Sequence, residues 1–301
     1  MRDPREKLVW ASKRFTEKPE DVAYSLFGIF GVHLPVIYGE TKQKALGRLL
    51  EKIVAQSRDI SVLDWVGKSS EFNSCLPADI TSYGSTVVLP CPSEDEIQAS
   101  IVSLQVAVDG TVALELHDKL NGTNHPGFSN QRLHLPCIVF RVTQIKGRRH
   151  QLEDGEIYFT YDVKANGLRD LPTITTSKRL PFLQARPAAQ KFLLVRPWDR
   201  RLLELPDFSD DAESMDDLSP SPSPSDSHGG FFEEHESLDS GRTLRLIARL
   251  KRPFRAFLLA QQYGEQYTRI ISEHDIIAEI QETTSESIRD IIDCVKTVEV
   301  V

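Results

Sequence analysis

Two stretches with helical periodicity, parted by Leu34-Pro35-Val36, constrain this chain more than any other feature. Proline disfavours helix at the residue before it, so one helix must end ahead of Leu34 and another begin beyond it. The first is expected from roughly Pro19 to Phe30. Pro19 suits a first turn, where its missing N–H has no intrahelical partner to lose. Glu20 and Asp21 set negative charge at the positive end of the helix dipole. Val22, Ala23, Leu26, Phe27 and Phe30 form one apolar stripe, and Gly31 supplies a left-handed end. The second is expected from Gly39-Glu40 to about Arg58. Its stripe is Ala45, Leu46, Leu49, Leu50, Ile53 and Val54, opposite Lys42, Lys44, Arg48, Glu51 and Lys52. The two stripes predict an αα-hairpin, with Val62, Leu63 and Trp65 capping the joint.

The composition narrows the class. Apolar content of 40% and charged content of 27% fit a soluble globular protein. A net charge of −8 argues against general nucleic-acid binding, which needs a basic face. No apolar run has the length of a membrane span, and MRDPREKLVW lacks the apolar stretch of a secretory signal. Cys75, Cys91, Cys137 and Cys294 show no CxxC spacing and read as reduced thiols of a cytoplasmic protein. No core-building element is legible before Trp10, so the chain reads as the tail of a longer protein or a truncated relative of one.

Beyond Trp65 the pattern shifts towards short apolar runs. Strands are expected at Thr86–Leu89, at Ile101–Val108 and Thr111–Leu116 around an Asp109-Gly110 hairpin turn, and at Leu133–Val142 and Glu156–Val163. Lys191–Arg196 and Arg201–Leu205 read as another pair. Thr243–Leu250, Phe254–Ala260, Thr268–Ile271, His274–Ile280 and Ile288–Val300 complete the set, although His274–Glu282 also fits a helix. Residues 207–241 are acidic, with Ser-Pro steps and Gly-Gly, and hold too little apolar surface to offset ordering entropy. The basic run from Arg242 to Arg255 is expected to make loose contact with that acidic stretch. The fold class is therefore α+β: a helical hairpin (1–66), a mostly antiparallel β-sandwich or barrel-like module (67–206), a disordered acidic loop (207–241) and a β-rich continuation (242–301).

Trp10-Ala11-Ser12-x-Arg14, Glu20-Asp21-x-Ala23-Tyr24-Ser25-Leu26-x-Gly28-Ile29-Phe30 and Pro35-x-x-Tyr38-Gly39-Glu40 form one block at fixed spacing. It resembles the segment that follows the heterokaryon-incompatibility (HET) domain in fungal proteins, and the likeness runs on through Leu50 and Ile53. It departs at Thr41, usually Gly there, and at Ser25, often Cys. The remainder resembles the C-terminal extension of basidiomycete members. The resemblance implies self/non-self recognition leading to cell death, with a protein partner, a TIR-like HET domain. The signature blocks of that domain do not occur here, so its NAD-cleaving activity is carried over to no residue of this chain.

Chemistry-bearing residues are weighed individually. Glu20 and Asp21 diverge around a helix and do not converge on one substrate atom. Arg14 is placed to pair with Asp21. His134 and Cys137 fall on opposite faces of a strand and make a poor metal pair. Gly28, Gly31 and Gly39 lack the strand–loop–helix order of a phosphate cradle. Ser25 sits mid-helix without a nucleophile elbow, so Ser25, His33 and Asp21 are no triad. No catalytic, cofactor or metal residue is assigned. Partner contact is assigned to Trp10, Arg14, Tyr38 and Glu40, against a plainer reading in which Tyr38 packs inward and Glu40 caps the second helix. The alternative is an enzyme whose His117, His125 and His134 meet in the β-rich half.

Overall fold

The computed structural model describes residues 3–85, 89, 93–152, 155–171, 173–176, 179, 191–203, 231–262 and 264–301, with the backbone alone at 85, 201 and 231–240. In chain order the helices are α1 (Pro4–Ala11), α2 (Asp21–Tyr24), α3 (Phe27–Phe30), α4 (Lys42–Ser57), α5 (Glu94–Ala107), α6 (Gly110–Asn121), α7 (Phe231–Leu250) and α8 (Ser285–Cys294). The strands are β1 (Gly127–Ser129), β2 (Arg132–Gln151), β3 (Ile157–Ala165), β4 (Ile174–Thr176), β5 (Phe192–Pro197), β6 (Phe254–Gln261), β7 (Gln266–Ile270), β8 (Ile276–Ala278) and β9 (Val295–Val300).

Strand β2 organises the sheet. Its first half pairs with β5 through residues such as Val139↔Val195 and with β9 through residues such as Leu135↔Val298. Ladders β5–β6 and β6–β7 are antiparallel, and β7–β9 is parallel. The order β2-β5-β6-β7-β9 therefore returns to β2, a closed ring of the barrel-like kind, which removes free edges. The far half of β2 leaves the ring and pairs with β3, from Val142↔Ala165 to Gln151↔Ile157, and β4 is added beyond β3.

Because side chains alternate along a strand, the ring separates two cores. Leu133, Leu135, Cys137 and Val139 of β2 share one with Leu8 and Ala11 of α1, the α4 stripe and Trp65. Ile138 and Phe140 share the other with apolar faces of α5, α6, α7 and α8. The first core runs across position 66 and joins the N-terminal helices to the strands without a break.

The N-terminal expectation holds in outline and differs in detail. The first helix is split into α2 and α3, with Ser25 and Leu26 still near helical geometry between them. Gly31 ends α3 at φ 61, the left-handed end expected of it. Helix α4 starts two residues later than Glu40. Thr41 is its N-cap, the Oγ1 accepting from the Lys44 amide, so Glu40 does not cap it. Ahead of Trp10 lies an unexpected core element: α1, capped by Asp3, buries Leu8 and Ala11.

Several expected strands are helices. Ile101–Val108 belongs to α5, where Ile97, Ile101 and Leu104 are buried at helical spacing. Thr111–Leu116 belongs to α6, and Asp109 is not a hairpin residue but its N-cap, accepting from the Thr111 amide at 2.8 Å. Thr243–Leu250 is the end of α7, which begins inside the segment read as a loop. Ile288–Val300 is half helix (α8) and half strand (β9). Arg200–Leu203 is a 3₁₀ turn, so β5 takes β2 and β6 as partners instead of 201–205. The expectations for Thr86–Leu89 and the greater part of 207–241 lie outside the described residues. Arg245 and Arg252 pair with Glu94 and Glu96 of α5. The remaining strand readings, at Leu133–Val142, Glu156–Val163, Phe254–Ala260, Thr268–Ile271 and His274–Ile280, fall on β2, β3, β6, β7 and β8, so the helical alternative for His274–Glu282 does not hold.

Candidate functional site

The turn between α3 and α4 is fixed by a polar clamp. Tyr24 is delivered by α2 and Arg48 by the second turn of α4. The Tyr24 hydroxyl accepts the Ile37 amide at 3.0 Å and donates to Glu40 Oε1 at 2.6 Å. Arg48 Nη1 also donates to Oε1, at 2.6 Å, and its Nη2 donates to the Pro35 carbonyl at 2.7 Å. Glu20 Oε1 accepts the Gly39 amide at 3.3 Å. Gly39 lies at φ 85, where a side chain is strained, so the turn needs glycine there. Hydrogen bonds from the Glu20 and Gly39 amides hold the Glu20 carboxyl below its usual range. Burial, and then the neighbouring Glu40, push the Tyr24 phenol up.

The clamp turns the apolar tip of the loop outward. Val36, Ile37 and Tyr38 are 48%, 46% and 72% exposed, while the Glu40 side chain retains 3%. Tyr38 thus faces solvent, with the Lys18 ammonium 4.8 Å from its ring centroid. Phe15, between α1 and α2, is 93% exposed. Arg14 does not reach Asp21; its guanidinium lies 3.5 Å over the half-buried Trp10 ring, a cation–π contact. The α4 stripe is no free face: Leu46, Leu49, Leu50, Ile53 and Val54 are sealed in the core shared with the ring. Of the four residues assigned to partner contact, the structure joins Trp10 with Arg14, presents Tyr38, and spends Glu40 on the clamp. The tip residues Val36 and Ile37 were missed, because an apolar pair beside proline reads as core in sequence.

The three histidines do not share an element. His117 lies on α6 beside Asp118, His125 in the α6–β1 loop, and His134 on β2 opposite Glu299. Among the described residues no group of three His, Cys, Asp or Glu side chains is placed to hold a metal ion. Cys75, Cys137 and Cys294 are free thiols. Burial pushes the Cys75 thiol up to about 12 and raises that of Cys137 as well, which makes both poor nucleophiles. Among the described residues no single helix is long and apolar enough to cross a membrane.

An α+β chain with a sealed helical stripe and an outward apolar loop is the class the geometry defines. Comparison adds a partial relative. Over 48 residues, 16% of this chain, it is 62% identical to the vegetative incompatibility protein HET-E-1 of Podospora anserina. That stretch is 4% of the relative's length. No protein-family model and no solved structure matches the chain.

Proposed function

We propose that this chain is a non-enzymatic interaction region of a fungal HET-type protein, acting in the cytoplasm in self/non-self recognition and programmed cell death. Its contact surface is the loop tip Val36–Tyr38, held out by the Tyr24–Glu40–Arg48 clamp, together with the Trp10–Arg14 pair and Phe15 earlier in the same block. The partner is a TIR-like HET domain. The observation that carries this reading is a rigidly clamped turn that leaves apolar side chains in water, inside the block that resembles the post-HET segment. The identity to a vegetative incompatibility protein supports the same family context. Buried, free Cys75 and Cys137 agree with a reducing compartment.

The test is complex formation between the full chain and a separately expressed HET domain, followed by sedimentation. Tyr38→Asp and Ile37→Asp abolish the complex, whereas Val106→Asp, at a 92% exposed position on α5, leaves it intact. Absence of a complex with the unaltered chain, or equal loss with Val106→Asp, overturns the docking reading. NAD hydrolysis by the purified chain that disappears in His125→Ala overturns the non-enzymatic one.

A further inference from the structure

A cleft of about 590 Å³ opens where the N-terminal helices meet the ring. Its polar lining includes Lys7 of α1, Ser57 and Arg58 at the end of α4, Asn124 and His125 of the α6–β1 loop, and Arg200. The volume lies in the range of small-molecule sites. We propose that this cleft binds a phosphate-bearing small molecule, its anionic group held by Arg58, Arg200 and Lys7. The site is independent of the docking surface and of the partner proposed for it.

Three permanent cations face two carboxylates, Asp59 and Asp199, in this lining. Asp59 is buried, and its Oδ1 accepts the Ser61 amide at 2.8 Å, as the cap of the 3₁₀ turn Ile60–Leu63. Arg200 is oriented: Nη2 donates to Asn121 Oδ1 at 2.7 Å, and Nη1 lies 3.4 Å from His125 Nε2. Lys7 is steadied by the Ile29 carbonyl at 3.1 Å. Arg58 sits in left-handed backbone at φ 55 and, among the described residues, makes no ion pair. A cation at the C-terminus of α4 is favoured by the helix dipole, which accounts for Arg58 alone. It does not account for a second arginine and a lysine in the same recess. Burial lowers the proton affinity of His125, and Arg58 and Arg200 lower it further, so His125 feels both arginines across the cleft. A bound oxyanion offsets that repulsion and accepts the forked guanidinium donors, which match phosphate geometry. The ligand is small because the site is recessed between four segments, and a polyanion would be opposed by the overall charge of −8.

The experiment is calorimetric titration of the full chain with inorganic phosphate, pyrophosphate and AMP, each against sodium chloride of equal ionic strength. Saturable binding of at least one is expected, weakened about tenfold or more by Arg58→Ala and by Arg200→Ala, and unchanged by Lys13→Ala outside the cleft. The His125 ring, followed by NMR, titrates at higher pH when the anion is bound, a readout that a structural role for Arg200 does not move. Binding of phosphate and pyrophosphate identifies the phosphoryl group as sufficient; binding of AMP alone shows that the nucleoside is read too. No saturable binding of any of the three, or binding that neither arginine variant weakens, overturns the proposal.

Discussion

Arg48 and Glu40 meet at 2.6 Å through Nη1 and Oε1, yet the other oxygen of that carboxylate, Oε2, is buried without a hydrogen-bond partner among the described residues. The side chains are 16% and 3% exposed, so the pair is nearly dry. Its worth lies in shape: with Tyr24, it fixes the turn that presents Tyr38. Removing one member strands the other. Glu40→Ala is therefore expected to cost about 3 kcal/mol, and Tyr24→Phe about 1 kcal/mol. Urea unfolding checks both, as a lower midpoint at unchanged slope. An unchanged midpoint for Glu40→Ala would remove the clamp from this account.

Acid should weaken the fold through three carboxylates. Hydrogen bonds from the Glu20 and Gly39 amides lower the Glu20 pKa, and those from the Thr111 hydroxyl and amide lower that of Asp109. Burial raises Asp79, but Lys42 and Thr81 together outweigh it and leave the group lowered. A folded pKa below the unfolded value means that stabilisation is complete above the unfolded pKa, about 4, and is lost as pH falls through the folded one. Unfolding midpoints recorded from pH 7 downward should hold steady and then drop below about pH 4. Glu20→Gln should make that drop shallower.

Arg196 closes the end of α7 from the ring. It is buried, lies 4.5 Å from the Phe254 ring centroid, and donates to the carbonyls of Leu250 at 2.5 Å and Arg249 at 3.5 Å. Terminal carbonyls of a helix have no partner within it, and a cation there also meets the negative end of the dipole. Burial pulls the guanidinium pKa down to about 9, so it stays charged at neutral pH. Arg196→Met leaves buried acceptors unsatisfied and should cost about 1–3 kcal/mol. Amide exchange should speed up in Arg252 and its neighbours more than in α4.

What the sequence disclosed follows from the range of the forces involved. The short, nearly continuous apolar runs at Leu133–Val139 and Phe254–Ala260 are a local pattern, and both segments are strands of the ring, buried on both faces. Asp109-Gly110 misled because aspartate favours a hairpin turn and a helix N-cap through the same short side-chain bond to backbone. The apolar spacing of Ile97, Ile101 and Leu104 was the signal that decides for helix, but the β-branched Val102, Val106 and Val108 masked it. Tyr38-Gly39-Glu40 stood out locally, whereas the inward turn of Glu40 depends on Arg48 and Tyr24, brought near only by packing. The cleft was illegible for the same reason. Lys7, Arg58, His125 and Arg200 are distant in sequence, and closure of the ring brings them together.

Gly47 offers a test of that packing in which helix propensity and shape oppose each other. It lies mid-helix in α4, where alanine ordinarily gains about 0.5–1 kcal/mol over glycine. A Cβ at Gly47, however, would meet Cγ of Phe72, with Cδ1 at 2.7 Å and Cβ at 2.9 Å. Cβ and Cγ of Phe72 do not move when the ring turns about the bond between them, so that rotation cannot clear them. Either the Phe72 backbone or α4 must shift, and overpacking of this kind costs about 1–3 kcal/mol. Gly47→Ala is accordingly expected to destabilise, against its propensity. In a Phe72→Ala background the ring contacts are gone and only the residual Cβ must give way, so the same substitution should cost less or become favourable. The double-mutant cycle, read from thermal unfolding, separates the two effects. Independent, additive changes would mean that α4 and the Phe72 segment do not press together as closely as the structure has them.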